Sequence, residues 1–500
     1  MSNYFYNLLK IFMINKISNT GFNFDNSYIE LPPEFYSPAN LQPVKSPQLV
    51  ILNNELSNSL GLNTDFLKSQ EGIYIMSGNI KIPDGAYISQ AYAGHQFGGF
   101  TMLGDGRALL IGEQITPSNQ RFDIQLKGSG RTPYSRNGDG RAVLGPMLRE
   151  YIISEAMHGL NIPTTRSLSV ISTGENVYRE TIQQGAILTR VASSHIRFGT
   201  FEYAAYMLDY EKLKKLSDYT IKRHFPFLEN NENKYINLLD EVIKLQASLV
   251  AKWQSVGFIH GVLNTDNMSI CGETIDYGPC AFMDVYNPDT VFSSIDTNGR
   301  YAYKNQIAIV NWNLYRLAET LLPLINSDEN KAIELAQNSL SKFINLATSN
   351  LSHEMCSKIG IFEPKTSDID LLNELLNMMQ KYKEDYTNTF IALTFNDLPQ
   401  KGMFISDEFI NWKKKWEETL TLQNKSKDEV FDLMKNSNPA VIPRNHRVEE
   451  ALSAANNRDF SVMNNLLKAL SNPFEHSEFQ KEYAKLPSTP QCNYRTYCGT

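Results

Sequence analysis

FIHGVLNTDNMSICGETIDYGPCAFMD, residues 258–284, is the stretch on which the reading of this chain turns. His260 opens it, Asn267 lies seven residues on, and Asp276-Tyr277-Gly278 begins nine residues after Asn267. Between them, Met268–Cys271 and Thr274-Ile275 fit a short hairpin. Folded back on itself, that hairpin brings an amide oxygen and a carboxylate oxygen together, the hard donors that Mg²⁺ takes. Asp266, beside Asn267, is a second carboxylate, placed to accept a proton. The bland interpretation of the same residues is a His-capped turn with solvated Asp and Asn.

What lies upstream argues against the bland interpretation. Residues 87–169 are dense in glycine. Phe100–Leu103 and Ala108–Ile111 are expected to be two strands of a hairpin around Gly104-Asp105-Gly106. Glycine there lets backbone approach a ligand closely, and Arg107 adds a phosphate partner. A third strand, 122–127, ends on Lys127. A loop, GSGRTPYSRNGDGR (128–141), then carries four glycines with Arg131, Arg136 and Arg141. Residues 144–158 have helical spacing and place Glu150 where it can pair with Lys127. Further strands are expected at 165–170 and 185–190. Arginines crowded near one loop, with Arg190 and Arg197 beyond it, repel unless an anion neutralises them, and polyphosphate is the natural candidate. The alternative is salt bridging to local acids such as Asp139. The order glycine turn, Lys, Glu, His-x₆-Asn, Asp-x-Gly is that of kinase folds. One departure matters: the position of the kinase catalytic Asp, two after the His, is Val262.

The rest of the chain fits this order. Helical faces are expected over 234–257 and 305–325, and the remainder reads as polar helix ending in a Pro-containing tail. Strands come first and helices dominate afterwards, which predicts an α+β fold with a sheet-rich lobe and a helical lobe. The expected divisions are an N-terminal extension (1–84), a nucleotide-binding lobe (85–200), a helical lobe with catalytic loop and metal site (201–430), and a C-terminal extension with a Cys-containing tail (431–500).

Composition bounds the function. The chain has 500 residues, 42% hydrophobic and 20% charged, ordinary for a globular protein. The net charge of −7 argues against a broad nucleic-acid footprint, which needs a basic face. No stretch reaches the roughly 18 apolar residues of a membrane-spanning helix. The start, MSNYFYNLLKIFMINK, has neither a basic opening nor a small-residue cleavage site, and reads as an irregular leader rather than a signal peptide. The five cysteines, Cys271, Cys280, Cys356, Cys492 and Cys498, contain no C-x-x-C pair.

With these residues in hand, the chain resembles the selenoprotein O family, also called the YdiU family, of protein adenylyltransferases with a pseudokinase-like fold. The resemblance covers about residues 85–500. It is carried by YAGHQFGGF, LGDGRALLIGE, QLKGSGRTPYSRNGDGRAVLGPMLREY, ASSHIRFGTFEY, the opening stretch above and NPAVIPRNHRVEEAL. The resemblance implies a kinase-like fold that holds ATP back to front, transfers AMP to Ser, Thr or Tyr hydroxyls of proteins and releases pyrophosphate. By the same resemblance, Gly104, Gly106 and Arg107 contact nucleotide. Lys127 binds phosphate and pairs with Glu150, and Asp139, Gly140, Arg190 and Arg197 hold the buried phosphates. Asp266 accepts the proton, and Asn267 and Asp276 bind Mg²⁺, or Mn²⁺. It also implies a disulfide between Cys280 and Cys498, for which Cys492 could compete. An ordinary kinase using the γ-phosphate, a non-catalytic nucleotide-binding scaffold and a transferase of UMP are the rival readings. The many Asn, Lys and Ile residues hint at an AT-rich genome and a bacterial cytoplasm. A mitochondrial location applies if the source is eukaryotic.

Overall fold

The computed structural model describes residues 20–487 and 494–496. Cys492, Cys498 and the first nineteen residues, on which the leader expectation falls, lie outside them. The fold is mixed α+β, with an antiparallel sheet first and helices after it.

The strands are β1 (Tyr36–Pro38), β2 (Gln48–Leu52), β3 (Ile88–Gln90), β4 (Ala93–Gln96), β5 (Gly99–Met102), β6 (Ala108–Ile115), β7 (Arg121–Lys127), β8 (Ala142–Val143), β9 (Arg166–Tyr178) and β10 (Ile182–Ala192). The main sheet runs β1-β3-β6-β7-β10-β9-β2, with β8 added to β10. Both edge strands come from before residue 85, so the N-terminal segment is woven into the sheet.

Alternation along the strands builds two cores, one on each face. Leu109, Ile111, Ile124, Leu126, Ile187 and Val191 pack under three short N-terminal helices, α1 (Asn54–Ser59), α2 (Thr64–Lys68) and α3 (Gln70–Met76). Leu110, Val170, Ala186 and Leu188 face the other way, onto α4 (Leu144–Gly159). Pro146 sits in the first turn of α4, where no amide donor is needed. Leu144, Met147, Leu148, Tyr151 and Ile152 then recur at helical spacing and bury against the sheet.

The expected hairpin of 100–103 with 108–111 does not form. β5 pairs with β4, and β6 pairs with β7 and β3. The turn that matters is Phe97-Gly98, both at positive φ, as a two-residue hairpin loop requires. Gly104-Asp105-Gly106 is instead the crossing from the small hairpin to the main sheet. The strands expected at 165–170 and 185–190 belong to a longer pair, the first opening β9 and the second lying inside β10.

The helical part comprises α5 (Phe198–Met207), α6 (Tyr210–His224), α7 (Lys234–Ser255), α8 (Gln306–Ile325), α9 (Glu329–Ser357), α10 (Thr366–Tyr382), α11 (Tyr386–Phe395), α12 (Asp407–Thr421), α13 (Lys427–Ser437), α14 (Asn445–Asn456), α15 (Ser461–Leu470) and α16 (Glu478–Tyr483). The expected helices at 234–257 and 305–325 are α7 and α8. Between them lies a short pair, β11 (Phe258–Ile259) and β12 (Ala281–Phe282), which brackets residues 260–280. Inside it, the expected hairpin is reduced to one antiparallel bridge, Met268 to Thr274. Among the described residues, no helix is long and apolar enough to cross a membrane.

Candidate active site

A cavity of about 620 Å³ opens between the sheet, α4 and the 258–284 stretch. Its floor is a charge cluster. β7 directs Asp123, Gln125 and Lys127 to one side by its two-residue period. Lys127 Nζ donates to Glu150 Oε2 at 2.5 Å and to Asp276 Oδ1 at 3.1 Å. Arg190, on β10, donates from Nη1 to Asp276 Oδ1 at 2.6 Å. Arg197 Nη1 donates to Asp276 Oδ2 and, at 2.7 Å, to the backbone oxygen of Asp266. Lys127, Arg190, Arg197 and Glu150 are all buried.

Burial alone would raise the Asp276 carboxyl. Arg197, Arg190 and Lys127 outweigh it and hold the group well below the usual carboxylate range. Three buried cations thus share two carboxylates, the buried Glu150 and the partly exposed Asp276. That is a poor balance for a closed core and a good one for receiving an anion. Asp276 has φ of 60°, the left-handed region that a non-glycine residue occupies only when its surroundings hold it there.

Two groups not expected from the sequence complete the floor. Gln125 accepts from Arg190 Nε and Nη2 at 3.2 and 2.5 Å and donates to Asp105 Oδ2 at 2.9 Å. This links the glycine crossing to the charge cluster. Burial pushes the Asp105 carboxyl up to about 6. The Tyr92 ring lies 4.5 Å under the Arg197 guanidinium. Neither signal was available in sequence, because each depends on a partner brought in from a distant strand.

Above the floor lies the chain between β11 and β12. His260 does not face the cavity. Its Nε2 pairs with the backbone oxygen of Ile275 at 3.0 Å, tying the loop to Asp276. Asn267 donates from Nδ2 to the Val262 oxygen at 2.9 Å, which turns its amide oxygen toward the cavity it lines. Asp266 is buried, its carboxyl is pushed up to about 6 by desolvation, and its Oδ1 has no hydrogen-bond partner. Val262 lines the wall without offering a proton acceptor.

The β4–β5 hairpin covers Asp266. His95 N–H donates to Thr265 Oγ1 at 2.7 Å, Phe97 N–H to Asn264 Oδ1 at 3.1 Å, and Gln96 Nε2 to Asp266 Oδ2 at 3.4 Å. A Cβ at Gly94 would come within 2.6 Å of Asp266 Oδ1, and one at Gly199 would strike the Ala93 carbonyl. Both glycines are therefore required by close approach.

The remaining expected residues line the same cavity, with different roles. Gly104 and Gly106 pack against Tyr134, leaving no room for side chains. Arg107 and Arg136 stand at its wall. Asp139 takes a two-point ion pair from Arg179, Nη1 to Oδ2 at 2.9 Å and Nη2 to Oδ1 at 3.0 Å. Its carboxyl is lowered first by that hydrogen bonding. Asp139 thus orients Arg179 at the wall of the cavity that both line. Gly140, at φ 68°, accepts from Gly130 N–H at 3.0 Å and closes the loop.

The donor set suits Mg²⁺ only in company with a nucleotide. Among the described residues, no three His, Cys, Asp or Glu side chains cluster to hold a metal alone. Asn267 and Asp276, both lining the cavity, offer hard oxygens, and Mg²⁺ ordinarily completes its shell with phosphate oxygens and water.

Cys280 is buried, and desolvation pushes its thiol up to about 12. Its expected partner, Cys498, lies outside the described residues. Thr496 is described: its Oγ1 donates to the Pro279 oxygen at 2.7 Å, and it pairs with Ser293. Tyr494 meets Arg149 at 2.6 Å and Glu449 at 2.7 Å.

The sequence profile of the family described as protein adenylyltransferase SelO matches residues 19–471. Three curated bacterial proteins, each described as protein nucleotidyltransferase YdiU, are similar over almost the whole chain. That of Bacillus cytotoxicus is 62% identical, covering 97% of this chain and 99% of its own length. That of Clostridium beijerinckii is 60% identical, over 97% and 99%. That of Halalkalibacterium halodurans is 59% identical, over 96% and 98%.

Proposed function

The chain belongs to the SelO family of protein adenylyltransferases, and from that premise we propose how its own side chains carry AMP from ATP to a protein hydroxyl. It is a protein nucleotidyltransferase; the residue roles, the metal and the kinase-like division into lobes are the proposal. The sheet with α4, over residues 85–200, serves as the nucleotide-binding lobe and residues 201–430 as the helical lobe, supported by the order of Lys127, Glu150, Asp266, Asn267 and Asp276 along the chain.

The observation that carries the reading is the convergence of Lys127, Arg190 and Arg197 on the single Asp276 carboxylate at the cavity floor. The terminal phosphates of ATP take up these cations, with Arg179, oriented by Asp139, and Arg107 at the wall. The triphosphate then lies back to front, with its outer end inside and its α-phosphate toward Asp266. A phosphoryl-transfer base at position 262 is not needed in that arrangement.

Asp266 accepts the proton of the incoming hydroxyl. Its raised carboxyl keeps it basic enough for that task near neutral pH. The hydroxyl oxygen forms a bond to the α-phosphorus as the bond to pyrophosphate breaks. Lys127, Arg190 and Arg197 stabilise the charge that develops on the departing pyrophosphate. Asn267 and Asp276 would hold Mg²⁺, or Mn²⁺, which when bound supplies Lewis-acid polarisation of the phosphate oxygens. A redox pairing of Cys280 with Cys498 belongs to the same proposal, supported by the Thr496 contact to Pro279 beside Cys280. A bacterial source is supported by the bacterial relatives, and a cytoplasmic location is proposed with it.

ATP labelled at the α or the γ position tests the reading. Label should pass to acceptor protein from the α position alone, with a gain of AMP by intact mass. Transfer from the γ position alone would make the protein a kinase. No transfer from either would leave a binding scaffold.

A further inference from the structure

Beyond the hairpin tip lies a second open groove, of about 570 Å³. Phe97 lines it together with, among others, Ile295, Asp296, Asn298, Arg300 and Ile309. Phe97 is 43% and Ile295 53% exposed, large values for apolar side chains facing each other across a groove. The same surface continues along the hairpin through Phe100, Met102 and Tyr206, all exposed, with Phe100 edge-on to Tyr206.

We propose that this groove receives the stretch of the acceptor protein flanking the modified hydroxyl, and that it selects an apolar side chain with an acidic neighbour. The inference deepens the reading above and rests on Asp266 facing the acceptor.

Continuity with the active site identifies the occupant. Gln96 and Phe97 are adjacent, and they face opposite sides of one wall: Gln96 reaches Asp266, while the Phe97 ring lines the groove. Asn264 joins the two, accepting from Phe97 N–H and from the Tyr301 hydroxyl. A polypeptide whose hydroxyl meets Asp266 advances about 3.3 Å per extended residue, so residues two or three along the chain arrive at Phe97. The groove is apolar on the Phe97 and Ile295 sides, which suits Leu, Met or Phe.

Charge supplies the second element. Arg300 lies 4.9 Å over Trp312 and 5.7 Å over Tyr301, and no ion pair to it occurs among the described residues. Asp296, the acid closest in sequence, instead accepts from the Arg300 and Tyr301 backbone N–H groups at 2.9 and 2.8 Å. Arg300 is therefore held in place by aromatic rings and left to meet a carboxylate from outside.

The test uses the full chain with ATP, Mg²⁺ and synthetic peptides that carry a central Ser. Flanking positions are varied among Leu, Gly, Lys and Asp. Leu in place of Gly within three residues of the Ser should lower KM about tenfold, the worth of burying one apolar side chain. Ile295→Asp and Phe97→Asn should erase that preference through KM, with ATP affinity unchanged. Asn is chosen because position 97 has φ of 51° and Asn tolerates it. Arg300→Gln should erase the preference for Asp alone. A photoreactive phenylalanine in place of the Leu should cross-link to residues 97, 295 or 309. Unchanged KM values in all three variants, or cross-links confined to other surfaces, would overturn the proposal. Failure of the wild-type protein to transfer AMP to any peptide or protein would instead strike the reading of the active site, while the cross-link still reports the groove.

Discussion

Arg444 Nη1 lies 2.6 Å from Asp284 Oδ1, joining the start of α14 to the chain just beyond β12. The same guanidinium holds Asp385 through two bonds of 2.9 Å, and it is fully buried. Asn445, next in sequence, donates to the Phe282 oxygen at 3.0 Å. The C-terminal helices are thus bolted to the segment that follows Asp276. Removing one partner of a buried ion pair strands the others, at a cost of about 3–5 kcal/mol. Arg444→Ala should lower the denaturant midpoint accordingly, and Arg444→Lys should restore only part, since Lys cannot supply the forked geometry. Equilibrium unfolding in urea checks this.

The Asp276 carboxylate stands among three cations where phosphate is proposed to bind. Asp276→Ala should abolish AMP transfer and also destabilise the ligand-free protein, because Lys127, Arg190 and Arg197 then face one another with Glu150 alone. Pyrophosphate should raise the melting temperature of this variant more than that of the wild type. An equal response would show that the cations are not the anion's partners.

Asp266→Asn keeps the shape and removes the proton acceptor. Turnover should fall by about 10²–10⁴ while the Kd for ATP stays within a factor of two. Single-turnover transfer from α-labelled ATP, with a separate binding titration, measures both. A weakened Kd with full turnover would place Asp266 in nucleotide binding instead.

Lys358 is buried among the rings of Phe390 and Tyr386, and among the described residues its ammonium finds the Ser437 oxygen alone as an acceptor, at 3.2 Å. Burial lowers its ammonium to about 7, against the usual value of about 10.4 in the unfolded chain. Between those two values the unfolded chain binds a proton that the folded chain does not, so stability rises with pH across that window. Lys358→Met should stabilise the protein at pH 7 by roughly 2–4 kcal/mol, and the advantage should shrink as pH approaches 10. Urea unfolding at several pH values reads this directly, and a gain independent of pH would refute it.

Much of the site was legible because its chemistry is written at short range. The spacing of His260, Asn267 and Asp276 and the strand-end position of Lys127 gave the loop and the cation. Their convergence is what the structure adds. The misread hairpin has a local cause. Residues 100–103 and 108–111 flank Gly104-Asp105-Gly106 and look like partners, but Phe97-Gly98 supplies the tighter turn and claims β5 first. β1 and β2 were invisible because they are short edge strands whose pairing is set by β3 and β9, far along the chain. Tyr92, Asp105 and Arg179 were missed for the same reason: each acquires its role from a residue on another strand or loop. Asp139 lines the expected cavity, and its pairing with Arg179 is what the sequence left unread.

Gly94 and Gly199 carry no chemistry, yet the space around Asp266 exists only because both lack a side chain. Natural variation at either codon would therefore mimic an active-site lesion while leaving every charged group intact. Any survey that ranks alleles by the acids, bases and cations they alter would file such changes as harmless, and a tally of phenotypes would find them among the nulls.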